Sequence, residues 1–157
     1  MILALDLGTK TGWAVEQCGV STSGVWNLKG SRYEGGGMRF LRFRNLLDTL
    51  NVDGHGKLGG VERVVYEEVR GHKGVDAAHI YGGLQATLTA WCEAHEIPYE
   101  GIPVGTIKKY WSGKGNCNKQ TMIEQCHRRG IPVSDDNEAD AVALLNYITN
   151  PEWKAKA

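Results

Sequence analysis

Short apolar stretches near the start of the chain have the length and spacing of β-strands. The run Ile2-Leu3-Ala4-Leu5 ends at Asp6, which favours a strand that is buried on both faces. Two glycines then punctuate a turn before the extended pattern resumes at residues 13–15, so we expect the chain to double back as a hairpin. A third strand is predicted over residues 24–28.

The spacing of apolar residues changes after residue 34 to that of a helix. Between residues 34 and 50 they recur at three- and four-residue steps, at Phe40, Phe43, Leu47 and Leu50. The segment 61–69 has β-branched and aromatic residues at its centre, which favours another central strand. An amphipathic helix followed by a buried strand is therefore expected here.

A second helix is predicted over residues 76–95, because apolar residues keep the helical spacing until Pro98 stops it. Gly82 and Gly83 lie inside this helix and would let another helix approach closely, and a partner subunit is a candidate for that helix. A strand at 99–103 and three helices complete the prediction, the helices at 106–111, 119–129 and 134–147. With no internal repeat and no linker, this order predicts one α/β domain over residues 1–157.

The composition agrees with a soluble globular protein, because 41% of the 157 residues are hydrophobic and 23% are charged. No run approaches the roughly 18 apolar residues that a membrane-spanning helix needs. The first apolar run meets Asp6 too early for a signal peptide, so a cytoplasmic protein without a membrane partner is expected. The four cysteines are scattered and form no C-x-x-C pair, which argues against a structural zinc site or a disulfide framework.

The charges fall into blocks although the net charge is zero. Residues 103–130 hold six basic residues and one acidic residue, and residues 131–157 hold five acidic residues and two lysines. This order is expected of a site that holds a polyanion with one element and metal ions with the next. The alternative is a solvated basic helix followed by an acidic helix N-terminus.

Acidic residues also occupy positions where apolar residues are expected. Asp6 ends a buried strand, and Glu67 and Glu68 follow an apolar strand centre, where strand alternation cannot choose between them. Asp140 lies two turns into the last helix, on a face that is otherwise apolar. Three acids from separate elements suit a hard divalent cation, and Asp136 and Asn137 lie on the face of Asp140, where either would offer another oxygen.

Three segments together resemble the acidic motifs of the RuvC family of Holliday junction resolvases: Ala4 to Ala14, Tyr66 to Val69, and Glu138 to Ala143. The spacing of Lys108 and Lys119 also resembles the family's basic DNA-contacting segment. The resemblance covers nearly the whole chain. It implies the ribonuclease H-like fold, in which helices flank a central mixed five-stranded sheet.

The resemblance also implies roles for individual residues. Asp6, Glu67 and Asp140 match catalytic carboxylates that bind two Mg²⁺ ions, for which Mn²⁺ would substitute, and this match selects Glu67 over Glu68. Asn137 stands where the family has an Asp or His as fourth ligand, so Asn137 itself, Asp136 or Glu138 would complete the site. Lys119 would assist catalysis by stabilising charge near the scissile phosphate. The residues expected to contact DNA are Lys108, Lys109, Lys114, Lys119 and Arg70.

By this resemblance the protein is a structure-specific endodeoxyribonuclease that acts on four-way and other branched DNA. It would hydrolyse phosphodiesters with two metal ions and give paired symmetric nicks, as a homodimer with two sites. Arg70 stands where an aromatic residue that stacks on unpaired bases is expected in bacterial members. This departure and the compact length favour a phage-type member, working in a bacterial cell or a phage-infected host.

Three other functions fit parts of the sequence. The segment Asp6 to Gly12 resembles the phosphate loop of actin-like and sugar-kinase ATPases, but 157 residues cannot hold their second lobe. The same segment resembles YqgF-type RNA-processing nucleases, although their usual Asp-Glu-Arg segment is absent. A catalytically silent module that binds branched nucleic acid would keep the basic segment and lose metal through Asn137.

Overall fold

In the computed structural model, which describes residues 1–53, 60–71 and 74–150, β-strands alternate with helices after an initial run of three strands. The strands are β1 (Ile2–Asp6), β2 (Lys10–Gln17), β3 (Val20–Asn27), β4 (Arg63–Glu68) and β5 (Tyr99–Pro103). The helices are α1 (Met38–Asp53), α2 (Val75–Ala94), α3 (Val104–Ser112), α4 (Lys119–Arg128) and α5 (Asp136–Thr149).

The five strands form one mixed sheet in the order β3-β2-β1-β4-β5. β2 is antiparallel to β1 and to β3, and β4 is parallel to β1 and to β5. The predicted five-stranded mixed sheet with flanking helices is therefore confirmed. Because β1, β3, β4 and β5 all run in one direction, they end at the same edge of the sheet, which we call the carboxyl edge.

Alternate residues of the central strands face two separate hydrophobic cores. Leu3 and Leu5 of β1 pack with the apolar stripes of α1 and α2, whereas Ala4 packs with α3, α4 and α5. Val64 and Val65 of β4 divide in the same way. Both central strands are thus covered on both faces, which explains why their sequences are apolar without alternation.

Several boundaries differ from the predicted ones. β3 begins at Val20 instead of residue 24, because its first residues form a polar edge strand that gives no apolar signal. The hairpin before it turns at Cys18 and Gly19, both with positive φ (52° and 78°), as a two-residue hairpin turn requires. α1 begins at Met38 rather than 34, because the segment before it forms turns.

The N-cap of α5 is Asp135, so the expected start of this helix at Ser134 is wrong. Asp135 accepts a hydrogen bond from the backbone N–H of Glu138 at 3.1 Å. The backbone N–H and the hydroxyl of Ser134 both donate to the Glu138 carboxylate, each at 2.7 Å. Ser134 therefore stabilises the first turn from outside the helix.

Two expectations from composition can be compared with the described residues. Within them, no helix is long and apolar enough to span a bilayer. All four cysteines are free thiols, of which Cys18 is exposed and Cys92 and Cys126 are buried. Burial raises the pKa of the Cys92 and Cys126 thiols, to about 12 and about 11. These two thiols stay protonated at neutral pH and act as core residues.

Candidate active site

Asp6 and Glu67 lie side by side at the carboxyl edge. β1 and β4 are parallel, and both acids come one residue beyond the paired Leu5 and Tyr66. Asp6 continues the face of Ala4, so both acids point toward the side of the sheet that α5 covers. Glu67 is only 7% exposed although it is an acid. The structure therefore agrees with Glu67, and not Glu68, as the inward-facing carboxylate.

Asp140 reaches the same place from α5. This helix packs across β1 and β2, and its first turn touches β2 at Gly12. A Cβ atom on Gly12 would lie 1.9 Å from the backbone carbonyl oxygen of Asn137, so only glycine permits this approach. Gly12 thus sets how close the first turn of α5 comes to the sheet, and with it the position of Asp140.

The carboxyl groups perturb one another strongly. Burial raises the pKa of Asp6 well above its usual range, and the charges of Glu67 and Asp140 raise it further. Burial also raises the pKa of Glu67, against the opposing effects of a hydrogen bond to Asp6 and of the Lys108 charge. Both acids therefore hold a proton to higher pH than isolated carboxyl groups, which is typical of acids crowded into one site.

Asp140 has a pKa of about 7, raised chiefly by burial and then by the Glu67 charge. Lys108 and Lys119 lower the pKa of Asp140, so both lysines lie close enough to act on it. Lys119 also forms an ion pair with Asp136, which helps to raise the pKa of the ammonium group. Two of the predicted basic residues are therefore brought to the carboxylates by α3 and α4.

The three candidates for a fourth metal ligand occupy different surroundings. Glu138 is buried beneath the first turn of α5 and accepts hydrogen bonds from Ser134 and, at 2.7 Å, from Ser23 of β3. The amide nitrogen of Asn137 donates to Asp135 at 3.2 Å. Asp136, in contrast, acts electrostatically on both Asp6 and Asp140. The geometry thus favours Asp136 over Glu138, and the ligand role of Asn137 stays a prediction.

The remaining predicted DNA contacts lie farther out. Lys109 and Lys114 are exposed on α3 and in the turn that follows it. Arg70 follows β4, where its 80% exposed side chain pairs with Glu68 at 3.4 Å. No contact joins Arg70 to the three inward-facing acids among the described residues. Its position at the carboxyl edge still leaves it free to meet a nucleic acid.

Two oxygens at this site are buried without a hydrogen-bond donor, Oε1 of Glu67 and Oδ1 of Asp140. Buried carboxylate oxygens that lack donors are costly unless a cation or a proton satisfies them. Within residues 1–53, 60–71 and 74–150, no three acidic, His or Cys side chains are gathered tightly enough to enclose a metal ion as they stand. The donor set is nevertheless the oxygen-rich set that Mg²⁺ and Mn²⁺ prefer. The residues present therefore fit a hard divalent cation.

Tyr81 of α2 is a further residue at the site, one that the sequence pattern did not single out. Its hydroxyl donates to the backbone carbonyl of Glu67 at 2.9 Å and accepts from the N–H of Val69 at 3.1 Å. Tyr81 thereby fixes the chain on both sides of Glu68, where β4 ends. A tyrosine beside a helical apolar stripe gives no signal of this role, because its partners lie on another element.

A Tyr81→Phe substitution should lower the free energy of unfolding by about 1–3 kcal/mol, because it leaves the buried carbonyl of Glu67 and the half-buried N–H of Val69 without their partner. Urea denaturation followed by circular dichroism measures this loss. Tyr99→Phe is the matched control, since the Tyr99 hydroxyl bonds to Glu93 in an exposed position. Equal effects of the two substitutions would show that the Tyr81 hydroxyl does not support the end of β4.

Stability in EDTA is expected to fall as the pH rises, because the pKa of Asp140 is about 7 in the folded protein against 3.8 for an ordinary Asp. A raised carboxyl pKa gives stability that is complete below the unfolded value and is lost as the pH passes the folded value. Between pH 4 and pH 8 the loss should be on the order of 3 kcal/mol larger in the native protein than in Asp140→Asn. Denaturant titrations across this range measure it, and parallel curves for the two proteins would contradict the assigned pKa.

Comparisons with known proteins add to this geometry. No family model and no curated protein matches the sequence. RuvC from Thermus thermophilus matches the structure with a TM-score of 0.65 at 20% identity, covering 91% of this chain and 89% of that chain. T. thermophilus RuvC in complex with a Holliday junction substrate gives 0.68 at 16% identity, covering 98% and 95%. The yeast mitochondrial Holliday junction resolvase Ydc2 gives 0.59 at 15% identity, covering 98% and 78%. The chain therefore has the ribonuclease H-like fold of these resolvases.

Proposed function

We propose that this chain, built on the fold of junction resolvases, is a metal-dependent endodeoxyribonuclease that cuts four-way and other branched DNA. One observation carries the proposal: three mutually perturbed carboxyl groups, Asp6, Glu67 and Asp140, meet at the carboxyl edge of that fold beside Lys108 and Lys119. Carboxylates alone would repel a phosphodiester. Divalent cations held by these residues would offset that repulsion, as in nucleases that hydrolyse phosphodiesters with two ions.

In this proposal the acidic residues bind metal and the lysines bind DNA. Asp6, which feels the charges of Glu67, Asp140 and Asp136, would hold the metal ions together with Glu67 and Asp140. When bound, Mg²⁺ would supply an activated water and stabilise the leaving oxygen. Lys119, which faces Asp136 and acts on Asp140, can balance the charge of a scissile phosphate. Lys108, Lys109 and Lys114 would neutralise backbone phosphates, and such contacts give affinity without sequence preference.

A homodimer completes the proposal, because paired nicks need two sites related by two-fold symmetry. Of the two glycines in the predicted α2 interface, only Gly82 remains a candidate for the subunit contact. Gly83 is already used inside the chain, where a Cβ atom would lie 2.4 Å from the ring of Phe40. Gly82 faces outward, and apart from its chain neighbours and the backbone of its own helix no described atom lies within 4 Å of a Cβ placed there. The outer face of α2 at Gly82 is thus the proposed subunit contact.

The test is cleavage of a labelled synthetic four-way junction, compared with a linear duplex of the same arm sequence and with structured RNA, in Mg²⁺ or Mn²⁺. We expect one nick in each of two opposite strands of the junction, at the same distance from the exchange point. We expect no cleavage of the duplex and no cleavage in EDTA. Cleavage of RNA alone would replace the proposal with an RNA-processing nuclease. Binding of the junction without cleavage in either ion would replace it with a binding module.

A further inference from the structure

A second cationic surface follows β3, and the carboxylate site makes no use of it. Between residues 29 and 44 the chain carries a single acid, Glu34, against five basic residues, Lys29, Arg32, Arg39, Arg42 and Arg44. Arg42 pairs with Glu34 and Arg44 with Asp48, which leaves Lys29, Arg32 and Arg39 without an ion pair among the described residues. Tyr33, next to Arg32, is 82% exposed, more than any other large hydrophobic side chain that the structure describes. The surface therefore joins positive charge to an open aromatic ring.

The turn that presents Tyr33 is held in place by specific bonds. The backbone N–H of Glu34 donates to the carbonyl of Ser31 at 3.2 Å, and the Glu34 carboxylate accepts from the N–H of Ser31 at 3.0 Å. The same carboxylate pairs with Arg42 of α1. Tyr33 lies inside this closed turn and points outward. The exposure of the Tyr33 ring therefore follows from the conformation of a turn that these bonds hold in place.

The turn lies at the same edge of the sheet as the carboxylates. β3 ends at the carboxyl edge, and the next residue, Leu28, donates its backbone N–H at 2.8 Å to the carbonyl of Thr9, in the turn that follows Asp6. β3 is two strands from β1, which corresponds to about 10 Å across the sheet. α3 and α4 pack with α5 on the face of the sheet that holds Ala4 and Val65, whereas the segment after Leu28 leads into α1 on the opposite face. The lysines and the Tyr33 turn therefore belong to opposite faces of the sheet, and both lie at its carboxyl edge.

Tyr33 and Arg32 together offer contacts to the two parts of a nucleotide, the ring to its base and the guanidinium group to its phosphate. The guanidinium carbon of Arg32 lies 4.7 Å from the centroid of the Tyr33 ring, so the ring and a fixed positive charge are adjacent. Bases that are not stacked in a duplex bind aromatic rings, and arginine binds the neighbouring phosphate. A junction or fork supplies such bases near the cut, whereas a continuous duplex does not.

We propose that Tyr33 stacks on an unpaired base of the DNA strand that passes over the carboxylates, with Arg32 on the adjacent phosphate. The surface would select branched DNA by its open bases, from the side opposite the lysines. This inference rests on the proposed function, because it needs DNA bound at the carboxyl edge. It also assigns an aromatic contact to a chain that carries Arg70, rather than an aromatic residue, after β4.

The test uses a four-way junction with 2-aminopurine at successive positions around the exchange point, bound without added divalent cation. We expect the native protein to quench the fluorescence at one or two positions, Tyr33→Phe to retain the quenching, and Tyr33→Ala to lose it. Tyr33→Ala should also weaken junction affinity by about tenfold without changing its dependence on salt. Arg32→Ala should lower the salt dependence by about one phosphate contact. Tyr99→Ala, at the opposite edge of the sheet, is the matched control and should change neither property.

The possible results distinguish a failure of the stacking role of Tyr33 from a failure of the proposed nuclease function. If the native protein cuts junctions and Tyr33→Ala binds them with the same affinity and quenching, the stacking role is wrong and the nuclease stands. If the native protein neither binds nor cuts branched DNA, the function fails and the stacking role fails with it. If Tyr33→Ala converts a dimer of the free protein into a monomer in sedimentation velocity, the ring is a subunit contact and the proposal is overturned.

Discussion

Asp6→Asn should reduce junction cleavage by more than about a hundredfold while junction binding persists. Loss of a group that merely supports a metal ligand costs about 10- to 100-fold, and Asp6 is proposed as a ligand itself, buried among the charges of Glu67, Asp140 and Asp136, so its loss should exceed that range. Binding should persist because the lysines of α3 and α4 are untouched. Initial rates of nicking in Mg²⁺, together with the anisotropy of a labelled junction, measure the two effects.

The same variant should be more stable than the native protein in EDTA. Burial and then the charges of Glu67 and Asp140 raise the pKa of Asp6, so its ionised form is unfavourable in the folded state. A neutral amide at this position avoids that cost. A rise in Tm together with a loss of cleavage would exclude unfolding as the cause of inactivity. Glu68→Gln is the matched control, since it removes the neighbouring acid of β4, which pairs with Arg70. Equal losses of cleavage in the two variants would contradict the assignment of the site.

Gly12→Ala should lower the free energy of unfolding by about 3 kcal/mol or more. The new methyl group would sit 1.9 Å from the backbone oxygen of Asn137, and a backbone atom in a helix cannot move aside as the end of a side chain can. Chemical denaturation measures the loss. Gly36→Ala is the control, because apart from its chain neighbours no described atom lies within 4 Å of a Cβ placed there, and it should change stability by less than about 0.5 kcal/mol.

Gly12→Ala should also impair cleavage at temperatures where the variant remains folded. Relief of the contact pushes the first turn of α5 away from β2, and this displacement carries Asp136 and Asp140 with it. A displacement of about 1 Å at a catalytic group can cost about a hundredfold in rate. Cleavage rates well below the Tm of the variant measure this effect. A destabilised variant with the native rate would show that the contact does not set the position of Asp140.

The inward-facing acids could be located from the sequence because each breaks a simple pattern. Asp6 ends an apolar run, and Asp140 interrupts the apolar face of a helix, so both stand out without any knowledge of contacts. Strand alternation alone could not choose Glu67 over Glu68, because it allows either residue to face inward until the two faces of β4 are known. Only the resemblance chose it in advance, and the division of the two cores then agreed with that choice.

Other features could not be read from the sequence because they depend on contacts between distant elements. Glu138 and Asp136 are both acids in the first turn of α5, yet one is held by Ser23 of β3 and the other faces the site. The roles of Gly12 and Tyr81 likewise exist only through their partners, 125 and 14 residues away along the chain. A sequence pattern reports which face a residue occupies, and it does not report which segment covers that face.

The division of the central strands between two cores also bears on how this protein can change over generations. Leu3, Leu5 and Val64 face α1 and α2, whereas Asp6 and Glu67 face α5. Substitutions on the first side alter stability, and the spacing of the acids is set by the backbone of β1 and β4. The core that faces α1 and α2 can therefore change over generations while the acids keep their positions. Such freedom is compatible with structures of one fold that share as little as 15–20% of their residues with this chain.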